Sequence, residues 1–153
     1  MSLAAEYLET QVFSASPHRL HLMVIDAALR HTRRALDALD TGKWEELDRC
    51  LAKARECVTE LIGGLNPETD PALVESFQGL FTFIYRMLTL GDLERNPQHL
   101  RDAMRILLLH RDNWVALGER LIEEATANLP DTPPAFGEPS ATVPPPHGRS
   151  WLT

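Results

Sequence analysis

His18 and His21 stand three apart at the start of an apolar run, the spacing at which two imidazoles share one helix face. Such a pair could begin a metal site, but no carboxylate or third histidine stands at a helical offset to complete the ligand set. The Glu-x-x-His spacing of di-iron bundles does not occur. Both histidines therefore read as solvated first-turn residues. His31, followed by Thr32-Arg33-Arg34, resembles a phosphoryl acceptor beside a base. Arg34 and Ala35, however, stand where a His-x-x-Lys-Gly pattern would place lysine and glycine. Cys50 and Cys57 lie seven apart, about 10 Å along a helix. Bridged Cα atoms are about 4.4–6.8 Å apart, so the two read as small buried hydrophobes rather than a disulfide or redox pair. A Gly-rich phosphate loop, a nucleophile elbow and a Cys–His pairing are all missing. These residues do not assemble an enzyme, and they imply no cofactor, no metal and no small-molecule substrate.

The bulk numbers point the same way. The 153 residues suit one domain with a real core, and 44% apolar with 24% charged residues is ordinary for a soluble globule. A net charge of −7 argues against nucleic acid or an anionic membrane as partner, since either would select a basic patch. The sequence opens without a basic, then apolar leader and contains no apolar run near 18 residues, so the cytoplasm is the expected location and no membrane insertion is expected.

The elements that must position any site are helices. Ser16-Pro17, Asp70-Pro71 and Asn96-Pro97 each set a capping side chain before a proline at the first helical position. The pattern predicts helices over 17–40, 43–62, 71–90 and 97–128. Gly42, Gly63-Gly64, Gly91 and Pro130 mark their ends. In the second, Trp44, Leu47, Cys50, Leu51, Ala54, Cys57, Val58, Leu61, Ile62 and Leu65 follow the three-and-four spacing of a bundle seam. The fourth carries Leu100, Met104, Leu107, Leu108, Trp114, Val115, Leu121 and Ile122. Short connections between amphipathic helices predict an all-α, antiparallel up-down four-helix bundle over 16–129.

The first and third helices are too apolar for that economy. From Leu20 to Leu29 only His21 and Asp26 are polar. Around Phe77, Leu80, Phe81, Phe83, Ile84, Tyr85, Met87 and Leu88 the third helix again covers more than one face. Either these helices meet neighbours on several sides, or part of their surface serves a partner. Residues 1–15 form an apolar-spotted N-terminal segment. Residues 130–153 hold seven of the eleven prolines and read as a disordered tail.

The stretch Tyr-Leu-Glu-Thr-Gln-Val-Phe-Ser-Ala-Ser-Pro resembles the opening of flagellin export chaperones of the FliS family. Tyr7 and Val12 match that family's tyrosine and valine, Ser14-Ala15-Ser16-Pro17 its Ser/Thr-Ala-Ser-Pro, and Leu20 its following leucine. Leu22-Met23, Asp26, Ala28 and Leu29 fall into its apolar run. Leu80-Phe81-Thr82-Phe83 with Arg86 and Leu88 resembles its third helix, and Arg111-Asp112-Asn113-Trp114 its Arg-Asp-x-Trp. The likeness spans about residues 5 to 122. Ile25-Asp26-Ala27 replaces the family's Tyr-Asp-Gly, and the proline-rich tail has no counterpart.

The resemblance implies a cytoplasmic, non-enzymatic export chaperone without cofactor. Its partners would be the disordered C-terminal segment of flagellin, kept from premature polymerisation, and the flagellar export gate platform that receives it. It also gives the apolar surplus a purpose, as a groove for an amphipathic client. On this reading Leu20, Met23, Val24 and Ala27 of the first helix line the groove with Phe77, Phe81, Ile84 and Met87 of the third. Tyr7, Val12 and Phe13 would cover it when no client is bound. Ser16 and Pro17 would be structural as the helix start, and Trp114 as a core residue. Two other readings keep the fold: a helical adaptor for a different secretion or signalling client, and a histidine phosphotransfer module acting on His31.

Overall fold

The computed structural model describes residue 3 and residues 16–128. Tyr7, Val12, Phe13 and the tail 130–153 lie outside the described residues. Within them are four helices and no strand: α1 (Pro17–Asp40), α2 (Trp44–Gly63), α3 (Pro71–Glu94) and α4 (Pro97–Ala127). Three starts follow the capping logic. Ser16 Oγ accepts from the Arg19 amide, Asp70 Oδ1 from Leu73 and Asn96 Oδ1 from Gln98, each with proline at the first turn. These bonds satisfy amides that a helix start otherwise leaves without partners.

Consecutive helices pack on one another, and α4 closes back on α1, so the order around the ring is α1–α2–α3–α4. The pairings are antiparallel. His18 and His21 of α1 meet Trp114 and His110 of α4 in that order, and Arg55 and Asp48 of α2 reach Asp92 and Arg95 of α3. The fold is therefore the all-α up-down bundle that the sequence implies.

The core runs the length of the ring. Ile25, Ala28, Ala35, Leu47, Leu51, Ala54, Val58, Leu61, Phe81, Ile84, Leu88, Leu100, Ala103 and Leu107 are fully enclosed. Cys50 is buried and Cys57 half-buried, both as unbridged thiols. Trp44, expected on the α2 seam, is instead 50% exposed. It lies at the pole of the bundle beneath the Arg95 guanidinium, 5.0 Å from its ring centre, a cation–π contact. The α4 stripe is also narrower than its spacing implies, because Leu108, Leu121 and Ile122 point outward. Helix α4 has 31 residues against 24 in α1, and every residue from 119 to 128 is exposed. Its last turns overhang the ring.

Gly91 does not end α3. The helix continues to Glu94, and the reversal falls on Arg95, in the left-handed region at φ 53°. Gly91 instead brings the two arms of the α3–α4 hairpin together, since a Cβ there would overlap the buried Leu100 side chain. In a helix, alanine normally gains about 1 kcal/mol over glycine. Here overpacking of about 1–3 kcal/mol opposes that gain, so Gly91→Ala is expected to lower stability in chemical denaturation. A rise would show that Leu100 yields freely.

Candidate functional site

The α1/α4 seam holds both of the molecule's distinctive arrangements, one polar and enclosed, the other apolar and open. The enclosed part is built from residues one turn apart on each helix. Trp114 Nε1 donates to the His18 carbonyl at 2.9 Å, and His18 Nε2 donates back to the Trp114 carbonyl at 2.8 Å. Their rings stack nearly parallel at 4.9 Å. One turn further in, His21 and His110 share a 2.9 Å hydrogen bond between their Nε2 atoms. Phe81 lies edge-on to His110, at 5.1 Å, and Phe77 likewise, at 5.2 Å. Gly118 makes room for this layer, because a Cβ there would strike the His18 imidazole. At the surface Arg111 Nε donates to Asp26 Oδ1 at 2.6 Å, half-exposed.

The sequence expectation for these histidines is overturned. His21 is fully buried and His18 half-buried against Trp114, so neither is a solvated first-turn residue, and His110, which the sequence did not single out, is nearly enclosed beside them. Isolated spacing within α1 could not reveal this, since the partner of each imidazole lies about ninety residues away on α4. Trp114, by contrast, is enclosed as expected, at 3% exposure. Burial pushes His21 down to about 3, with the His110 and His18 charges adding to the effect, and burial pushes His110 down to about 4. Both rings are therefore neutral near pH 7, one donating and the other accepting. Protonating both would set donor against donor. Among the described residues no three His, Cys, Asp or Glu side chains converge where a metal ion could sit.

The open part lies further along the same seam. Leu36 of α1 and Met104, Leu108 and Leu109 of α4 line a hollow of 590 Å³, rimmed by Arg101, Arg105 and Asp112. Leu108 is 41% and Leu109 55% exposed. The signal for it lies in Leu107-Leu108-Leu109. Steps of about 100° around a helix cannot turn three successive leucines to one core, and only Leu107 is enclosed.

The residues expected to line a client groove scatter. Phe81 and Ile84 are fully buried, because they share the inward stripe of α3 with Val74 and Leu88. They form core, not groove. Phe77 is half-buried within the aromatic layer, and Met87 and Val24 are half-buried against the core. Leu20 and Ala27 are half-buried, and Met23 is 46% exposed. Helices α1 and α3 face each other across the ring, each packed on α2 and α4. They meet through the core, as His21 does with Phe81, so no one surface groove is lined by both.

The sequence model described as "Flagellar protein FliS" matches residues 1–121. The chain belongs to the FliS family. Two similar proteins are named "Flagellar secretion chaperone FliS". The one from Bacillus subtilis (strain 168) is 26% identical over 108 residues, covering 71% of this chain and 80% of the relative. The one from Vibrio cholerae serotype O1 (strain ATCC 39315 / El Tor Inaba N16961) is 22% identical over 107 residues, covering 70% and 79%. The FliS match takes in the whole histidine–tryptophan layer and the furrow beside it. Among the described residues, no helix is long and apolar enough to cross a membrane.

The neutral histidines give this FliS bundle a defined acid sensitivity. Below about pH 6.5 the unfolded chain binds protons on both imidazoles that the folded chain refuses until about pH 4 and about pH 3. Stability present above pH 6.5 is therefore lost as pH falls through that window. Melting temperatures measured from pH 8 to pH 5 are expected to decline below pH 6.5. A His21→Gln/His110→Gln double variant, which cannot titrate there, should decline less. Parallel declines would contradict the assignment.

Proposed function

We propose that this FliS-family protein is a cytoplasmic export chaperone that holds the C-terminal segment of flagellin as a helix in the α1/α4 furrow. Bound there, the segment is withheld from polymerisation until it is handed to the export gate platform. The observation that carries the reading is the furrow of Leu36, Met104, Leu108 and Leu109, open apolar surface on a helix seam with a charged rim. Such a shape suits an amphipathic helix laid along it. Family membership supplies the flagellar setting, and the relatives' printed names supply the chaperone role.

Magnitudes favour an extended contact. Ordering a disordered client costs about 2–5 kcal/mol, while a well-buried apolar side chain returns about 1.5–3 kcal/mol. Two or three anchors must be covered before any net affinity appears, and the furrow offers four apolar residues. Met23 on α1, 46% exposed, is not among the residues that line it.

Titrating the protein with a synthetic peptide from a flagellin C-terminus is expected to produce saturable binding and a gain in helical circular dichroism. Leu108→Asp/Leu109→Asp should weaken binding at least about ten-fold, equal to about 1.4 kcal/mol, without unfolding the chaperone. Unchanged affinity in that variant would move the client off this furrow. Absence of binding by the unaltered protein would remove flagellin as the client.

A further inference from the structure

Without a client the α1/α4 furrow leaves Leu108 and Leu109 open to water, and the chain carries a segment able to cover them. Residues 129–153 follow α4, and beyond Leu129 their bulky apolar side chains are Phe136, Val143 and the adjacent pair Trp151-Leu152. Leu108 stands twenty residues before Asn128 on α4, about 30 Å away along the helix. The eight residues from Asn128 to Phe136 span at most about 28 Å, short of that point. The twenty-three residues to Trp151 reach about 70 Å and cover the distance with slack.

The order of chemistry along this segment matches the order along the furrow. Coming from the end of α4, the acidic rim residue Asp112 is met first, then Leu109 and Leu108, then Met104. Among the described residues Asp112 enters no ion pair. Arg149 precedes Trp151 by two residues, about 6–7 Å of extended chain. Asp112 and Leu108 are four residues apart, about 6 Å of helix. A segment running back along α4 with Arg149 at Asp112 therefore brings Trp151 level with Leu108.

We propose that Trp151 and Leu152 dock in the α1/α4 furrow of their own chain, with Arg149 on Asp112, as an internal cover. Tethering makes so small an anchor sufficient, because it holds the pair near the furrow at an effective concentration up to about 1 mM. A longer amphipathic helix engaging all four apolar residues displaces it. The cover itself needs no client. Its competition with one rests on the reading of the furrow as the client site, and lowers the client's apparent affinity by the fraction of time the furrow is covered.

Amide NMR spectra of the full chain test the docking without a client. Trp151→Ala/Leu152→Ala is expected to shift the amides of Leu36, Met104, Leu108 and Leu109, leave those of α3 in place, and do so equally on dilution. Asp112→Arg should move the Trp151 indole resonance toward its position in Leu108→Asp/Leu109→Asp, and adding Arg149→Asp should restore it. With the flagellin peptide, Trp151→Ala/Leu152→Ala should bind at least about three-fold tighter, as cover for two-thirds of the time requires. Absent furrow shifts, shifts at Trp44 or at Leu121 and Ile122 instead, or shifts that fade on dilution overturn the proposal. So does a furrow that responds to Tyr7→Ala/Phe13→Ala and not to the Trp151 variant. Furrow shifts with unchanged peptide affinity uphold the cover and take the client off the furrow, so the two readings fail separately.

Discussion

The structure turns on the hydrogen-bonded layer that joins the first helix to the last. A ring of four helices needs a closing contact between its ends, and apolar packing alone tolerates a slip of one turn. Here the closure is written in polar groups. His18 and Trp114 exchange bonds through ring and backbone, and His21 and His110 share one in the interior. Any other register would strand these groups in a desolvated core, each at a cost of about 1–3 kcal/mol. The layer therefore selects the alignment of α1 on α4, and with it the place where Leu36 comes beside Met104 and Leu108.

One seam thus has two characters along its length. Near the start of α1 it is tight and aromatic, with Phe77 and Phe81 set edge-on against the His110 imidazole. Beyond the half-exposed Asp26–Arg111 pair it opens, and the leucines of α4 are left uncovered. Rigidity at one end lets the other remain unfinished, since an apolar furrow with no tenant stays open only if the helices beside it are held apart. The α2–α3 side of the ring is plainer. There Arg55, Asp92, Arg95 and Asp48 make solvent-touched pairs that steer the hairpin more than they stabilise it.

The helices themselves are legible because their signals are local. Serine, aspartate and asparagine before proline mark three starts to the residue, and the α2 stripe predicts its own buried side apart from Trp44. What stays hidden is mutual. His21 and His110 look like ordinary polar residues until they are placed face to face, and Gly91 looks like a stop signal until Leu100 is set against it. The apolar surplus of α1 and α3 is visible in the sequence, but its destination is not. Phe81 and Ile84 satisfy the core, and diagonal helices cannot share a trough. The uncovered leucines are on α4, where a run of three in succession already exceeds what one inward face can absorb.

The overhang of α4 separates the chain into a part that the bundle grips and a part that it does not. From residue 119 onward every described residue is exposed, and a short helix without packing draws little stability from its own hydrogen bonds. Sequence change there leaves the ring untouched. Leu121 and Ile122 can be traded without a folding penalty passed back to the core. The family match ends at residue 121, where the bundle's hold on the chain has already lapsed, so this boundary is a seam along which evolution can graft.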